Sequence, residues 1–329
     1  GPYFTQREDG RYDIDEERFN EAFNAAIRAL QQTGATEKGE GKAKSNPVYA
    51  DLASRALKSQ FKGYETTRAD DAKVVALIKG NEVRSLSEGE EGEVVLERTP
   101  FYAESGGQVG DVGRLINPVA TALGTDLIAT HGDFIATVAD TYSPGQGLIV
   151  HKVKVEKGTL KVGDTVTAEV DVEKRDATRR NHTATHLMHA ALREVLGTHV
   201  KQAGSVVAPT YLRFDFSHYQ PLTDAEIEEI ERLVNYHILR NEPVQTDEMA
   251  VEEAMRSGAM ALFGEKYGEK VRVLSIKGAE GIFSKELCGG THVRATGDIG
   301  VFKITSDESI ASGVRRIRAV TGVDAYERF

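Results

Sequence analysis

The chain has a single cysteine, Cys288, no tryptophan, and eight prolines in 329 residues. One thiol excludes an internal disulfide framework and fits a reducing cytosol, so the Asn181-His182-Thr183 sequon is expected to stay unglycosylated. No apolar run approaches the roughly 20 residues that span a bilayer, and no secretory apolar segment opens the sequence. A cytoplasmic location without a membrane partner is therefore expected. Basic excess is missing too: the net charge of −10 argues against indiscriminate binding to nucleic acid, DNA included. The chain starts with Gly1-Pro2 in place of methionine, which reads as a cleavage scar on a piece of a longer protein.

The one cysteine sits in a telling place. Cys288-Gly-Gly-Thr-His292 repeats the spacing of His182-Thr-Ala-Thr-His186, and together they offer three imidazoles and a thiolate. Histidines four apart on a helix share one face, and this soft tetrahedral set suits Zn²⁺ better than Mg²⁺ or Ca²⁺. Each pair alone has an ordinary reading as buried, hydrogen-bonded core residues. A zinc peptidase is disfavoured, because Thr183 stands where the HExxH motif needs its glutamate base.

Local charge departs from the acidic average. Lys174, Arg175, Arg179 and Arg180 lead into the first histidine pair, and Arg315, Arg316 and Arg318 cluster near the end. These are either solvated faces or two flanks of a pocket for one end of an RNA.

Periodicity organises the rest. Phe19, Phe23, Ala26, Ile27 and Leu30 predict an amphipathic helix over 15–33, followed by a flexible run to Asn46. Pro47 then opens a helix carrying Val48, Leu52, Ala56 and Leu57. Short strands separated by glycine turns follow, at 73–79, 83–86, 93–98, 134–140, 148–155 and 165–170, which predicts a small barrel. Between them Gly106, Gly107 and Gly110 either let backbone approach a partner closely or make a plain hairpin turn.

A helix is expected from Asp176 as N-cap to Gly197, then strands at 205–207 and 212–216. The Thr223/Glu226 capping box opens a helix with Ile227, Ile230, Val234 and Ile238 inward. A helix at 251–256 and strands at 271–276, 300–305 and 314–320 complete an α+β region.

The stretches Thr99-Pro-Phe-Tyr-Ala-Glu-Ser-Gly-Gly-Gln108, Arg180-Asn-His-Thr-Ala-Thr-His186, Leu212-Arg-Phe-Asp-Phe-Ser-His218, Ala261-Leu-Phe-Gly-Glu-Lys266, Leu287-Cys-Gly-Gly-Thr-His292 and Ser312-Gly-Val-Arg-Arg-Ile317 resemble the editing portion of alanyl-tRNA synthetases. Free-standing alanyl-tRNA editing proteins share the zinc core, and the core also resembles that of threonyl-tRNA synthetase. The implied fold is α+β, with a helical connector over residues 1–66, a β-barrel over 67–172 and a zinc-containing α+β editing core over 173–329. The implied activity is hydrolysis of mischarged tRNA(Ala), chiefly seryl-tRNA(Ala) and also glycyl-tRNA(Ala), with one Zn²⁺ per chain and the tRNA acceptor end as partner. ATP belongs only to an aminoacylation core that this sequence does not resemble.

An alanine pocket rejects serine and glycine poorly, so a second, hydrolytic site is the expected remedy. Zinc with an open position would activate water or polarise the ester; four protein ligands would instead close the site. The resemblance assigns Gln202 to the pocket, orienting water or a substrate hydroxyl, against a reading as a surface amide. Asp215 and His218 fall in the shared segment, and Asp215 is either a catalytic carboxylate or one bonded to its own backbone. Arg315 and Arg316 would meet phosphates, although strand alternation allows at most one direct contact. A non-catalytic tRNA-binding module with a structural zinc is the alternative.

Overall fold

The computed structural model describes residues 46–118, 134–145, 147–261, 268–278 and 281–328, the paired strands Phe4–Gln6 and Tyr12–Ile14, and the helical residues Glu21 and Ala25. The rest of the expected 15–33 helix, the run to Asn46, and Leu262 to Lys266 of the shared motifs lie outside them. Two compact units result. One comprises the described residues of Gly39–Ser105 and Val109–Asp176; the other comprises those of Gly1–Lys38, Gly106–Gln108 and Ala177–Phe329.

The first unit is a closed six-stranded antiparallel barrel. Its strands run in the order Thr165–Val170, Gly113–Ile116, Ile135–Gly145, Leu148–Lys157, Glu91–Leu96 and Arg68–Lys79, which pairs back with Thr165–Val170. Alternation fills the interior with Ala72, Val74, Val94, Leu96, Leu115 and Val153. A register shift between Val74 and Ala76 then turns Ala76 and Ile78 outward, where Leu52 covers them. Leu52 belongs to the helix Pro47–Ser54, capped by Asn46, whose side chain accepts from the Val48 N–H. This helix stops short of the expected Ala56 and Leu57, because Ala56 takes a left-handed φ of 57°. The strand expected at 83–86 divides into Asn81–Val83 and Ser85–Ser87. The short, glycine-led Gly113–Ile116 gave no alternation to detect.

The helix Val172–Leu196 starts a turn earlier than the sequence suggests. Asp171, not Asp176, caps it: the Lys174 N–H reaches Asp171 Oδ1 at 3.1 Å and the Arg175 N–H reaches its carbonyl at 2.9 Å. Gly197 ends it at φ 116°, as expected of a residue past a helix end. Arg175 corrects the reading of the first basic cluster. It is fully buried, ion-paired with Asp111, and donates to the carbonyls of Gly63 and Pro100 at 2.8 Å.

The second unit packs helices on a four-stranded antiparallel sheet ordered Gln202–Val207, Leu212–Ser217, Val314–Thr321, Phe302–Ala311. Ala184, Leu187, Met188 and Ala191 from the long helix meet Phe214, Phe216, Phe302 and Ile317, all fully buried. Each Leu, Met, Ile or Phe side chain among them contributes about 1.5–3 kcal/mol. The helix Asp224–Leu239 adds Ile230, Val234 and Ile238 and carries both halves of the Thr223/Glu226 capping box.

A three-stranded sheet, Val244–Ala250, Lys270–Gly278, Gly281–Leu287, completes the unit and leads into Cys288. Its outer strands are polar and escaped the alternation test. Among the described residues no helix is long and apolar enough to cross a membrane.

Candidate metal centre

The four expected ligands come together. One ligand atom each from His182, His186, Cys288 and His292 lies within 4.8 Å of the others; the first three residues are buried and His292 is partly exposed. Cys288 Sγ is 3.4 Å from His182 Nε2 and 3.2 Å from His292 Nε2. A tetrahedral ion with metal–sulfur and metal–nitrogen bonds of about 2.3 and 2.0 Å places sulfur and nitrogen about 3.5 Å apart, so the group fits such an ion.

The outer partners sharpen that fit. The Thr291 backbone N–H donates to Gln108 Oε1 at 2.9 Å, which identifies that atom as the amide oxygen; it also receives His182 Nδ1 at 2.8 Å. Thr183 Oγ1 gives its proton to the Arg179 carbonyl at 3.0 Å, leaving it to accept from His292 Nδ1 at 3.2 Å. His186 Nδ1 lies 3.0 Å from Glu286 Oε2, an ion-pair contact rather than an aligned hydrogen bond, and its Nε2 is buried without a hydrogen-bond partner. His182 and His292 commit Nδ1 to a hydrogen-bonding oxygen and His186 Nδ1 stands beside Glu286, so Nε2 of each ring is the atom an ion would take.

Electrostatics follow from the crowding. Burial pushes the Cys288 thiol up, but the imidazoles of His182, His292 and His186 outweigh it and hold the thiol well below its usual range. Burial likewise opposes charge on His186, yet Glu286 and Cys288 lift it to about 10. His292 is pushed down to about 3 by burial.

Local sequence explains why the group forms. His182 and His186 sit on one face of the long helix, their rings stacked at 5.3 Å. Asn181 anchors that turn by donating to the carbonyls of Ala208 and Pro209 and accepting from Thr321 Oγ1, so the sequon asparagine is buried. A Cβ at Gly290 would stand 2.1 Å from His182 Cε1, so any side chain there must displace the ring. Gly107, at φ 84°, accepts from the Val207 N–H at 2.7 Å, and a Cβ would stand 2.5 Å from the Ser205 carbonyl oxygen. The partner that Gly107 approaches is thus a strand of its own chain. Gly106, at φ 58°, makes the preceding turn that delivers Gln108.

The remaining site residues lie on the four-stranded sheet. Gln202 is half-buried opposite Phe216. Asp215 is fully buried and receives Arg316 in a two-pronged pair at 2.7 and 2.9 Å, with Arg213 at 3.5 Å. Arg315 points to another strand and pairs with Asp307 at 2.8 Å through two nitrogens. His218 Nδ1 meets His199 Nε2 at 2.9 Å. Among the described residues, no hydrogen bond or ion pair links the four ligands to Gln202, Asp215, Arg315 or Arg316.

Sequence reasoning missed Gln108, Glu286, Thr183 and Gly290. Gln108 ends the Gly-Gly-Gln motif, and Glu286 precedes Cys288 by two, the spacing that shares a strand face. Those two signals were available; the pairings themselves are long-range.

The chain is similar to known proteins over most of its length. A family model described as tRNA synthetases class II (A) matches residues 6–174, and one described as threonyl and alanyl tRNA synthetase second additional domain matches 271–318, which includes Glu286 and two of the ligands. The alanine–tRNA ligase of Myxococcus xanthus is 48% identical over 317 residues, 96% of this chain and 33% of that protein. Those of Acidithiobacillus ferridurans and Xanthomonas campestris are 52% and 50% identical over 88% and 93% of the chain, respectively 31% and 33% of each relative. The chain spans about a third of the length of these relatives. With half the chain matched by one family model and the second additional domain by another, the chain belongs to the alanyl-tRNA synthetase family.

Proposed function

We propose that this chain edits tRNA(Ala) by hydrolysing the ester that joins a wrong amino acid, chiefly serine and also glycine, to the terminal ribose. The ion is Zn²⁺, one per chain, held by His182, His186, Cys288 and His292. The observation that carries this reading is the gathering of ligand atoms from three imidazoles and one thiol within 4.8 Å, with Nε2 of His182 and His292 at 3.4 and 3.2 Å from Cys288 Sγ. Family membership supports it: alanine selection leaves serine and glycine poorly rejected, and a second hydrolytic site corrects that. When bound, zinc supplies Lewis acidity toward an ester carbonyl or water, or shapes the pocket if four protein ligands close it.

The chain's own groups take the other tasks. Gln202 orients the attacking water or recognises the serine hydroxyl through its amide. Asp215 acts by fixing the Arg316 guanidinium, and of the strand neighbours Arg315 and Arg316 at most one meets the acceptor-end phosphates directly in this reading. Gly106 and Gly107 hold Gln108 against His182 and border the substrate's terminal nucleotide.

A deacylation assay on seryl-tRNA(Ala), with and without a chelator, tests the proposal. Hydrolysis should be lost on stripping and return with Zn²⁺; full activity in metal-free protein overturns it. The closed donor set favours one second reading, a tRNA-binding module with a structural ion. It requires binding of seryl-tRNA(Ala) with no hydrolysis.

A further inference from the structure

Glu286 is a buried carboxylate beside the metal group, 1% exposed, on the strand Gly281–Leu287. Its oxygens divide between two histidines of the long helix: Oε1 receives His189 Nδ1 at 3.0 Å, and Oε2 lies 3.0 Å from His186 Nδ1. His189 is not a member of the ligand group, and its ring rests on Phe214 at 5.0 Å. His182, His186 and His189 therefore line one helix face, and only the last is turned wholly to the carboxylate.

An isolated buried carboxylate costs several kcal/mol unless its charge is met nearby. A His186 ring whose Nε2 lone pair goes to an ion is neutral, so it then brings the carboxylate a donor at Nδ1 but no compensating charge. A divalent ion with the Cys288 thiolate leaves one positive charge in a dry pocket, and the Glu286 carboxylate cancels it.

We propose that Glu286, held in place by His189, is the positioning carboxylate that orients His186 and neutralises the divalent ion in the four-ligand group. This rests on the metal-site reading above and extends it to two residues outside the ligand set. Within its own strand the carboxylate receives the Ser284 hydroxyl at 3.4 Å, which brings no charge to meet it. The assignment also gives His189, whose Nε2 is buried without a partner, a role in aiming the carboxylate.

The test is a competition titration of the metal-stripped full chain with Zn²⁺ against a chromophoric chelator, for wild type, Glu286→Gln, Glu286→Asp and His189→Phe. Wild type should bind one ion, and Glu286→Gln should hold it about 10–100-fold more weakly. Glu286→Asp, which keeps the charge, should recover part of the loss, and His189→Phe should fall between wild type and Glu286→Gln. Unfolding midpoints of the stripped proteins separate packing damage from loss of the ion. Wild type that takes up no ion overturns the metal-site reading itself. Wild type that binds while Glu286→Gln binds equally well overturns this inference alone. If Glu286→Gln does not fold, unchanged affinity in Glu286→Asp together with unchanged affinity in His189→Phe overturns it.

Discussion

Gln108 Oε1 accepts the Nδ1 proton of His182 at 2.8 Å across 74 positions of sequence. The same oxygen takes the Thr291 N–H at 2.9 Å, and the amide nitrogen gives to Thr291 Oγ1 at 2.9 Å. One side chain thus fixes the tautomer of the first histidine and the loop between Cys288 and His292. Gln108→Leu keeps the approximate volume but leaves the Thr291 N–H and His182 Nδ1 unpaired. We expect ion affinity to fall about 10–100-fold, read by chelator competition. Affinity equal to wild type would make the contact incidental.

Gly290→Ala should be more damaging than an alanine elsewhere in that loop. Its Cβ would sit 2.1 Å from His182 Cε1 and 2.8 Å from Gln108 Oε1, so the ring must move. Metal analysis should find the variant depleted of ion while the barrel unit stays folded. A fully loaded Gly290→Ala would show that the ring has room to shift.

Gln202→Ala tests the proposed pocket role. Hydrolysis of seryl-tRNA(Ala) should drop by at least about tenfold, equivalent to roughly 1.4 kcal/mol of transition-state stabilisation, with ion content unchanged. Single-turnover rates separate two roles. Loss on serine alone means hydroxyl recognition, and proportional loss on seryl and alanyl esters means water positioning. Unchanged rates on both would leave Gln202 a half-buried surface amide.

Asp215→Asn removes the charge that receives Arg316 and neighbours Arg213. Breaking a buried pair at one partner typically costs about 3–5 kcal/mol, because the other charge is left uncompensated. Denaturant unfolding should show a loss on that scale. A change under about 0.5 kcal/mol, the level of an ordinary surface substitution, would mean Arg316 finds another partner.

His151 gives the barrel a pH dependence. It is fully buried, with Nδ1 on the Val94 carbonyl at 2.9 Å and Nε2 on Thr99 Oγ1 at 2.8 Å, and burial lowers its pKa from 6.5 to about 4. The neutral ring is favoured when folded, so the unfolded chain binds the extra proton. Its contribution is complete above pH 6.5 and is lost as pH falls toward 4, by roughly 3 kcal/mol in all. The difference in unfolding free energy between wild type and His151→Gln should shrink over that window. A His151 ring resonance that titrates near pH 6.5 would contradict the expectation.

The sequence by itself singled out the four residues of the candidate metal group. Helical spacing put His182 and His186 on one face, the lone thiol singled out Cys288, and the capping box and barrel strands followed from local chemistry. Such signals survive because they depend on neighbours within a turn or a hairpin. Boundaries survived less well: Asp171 took the cap expected of Asp176 because both residues are competent and only packing chooses. Tertiary structure alone decided who stands behind the ligands. Gln108 and Glu286 reach the histidines from distant strands and loops, and the burial that gives those contacts their strength exists only once the chain has folded. It likewise decided the fate of Arg175, Arg315 and Arg316, which composition presents as free charge and the folded chain commits to Asp111, Asp307 and Asp215. Charge is a property of a residue type; its availability depends on which carboxylate the fold brings within reach.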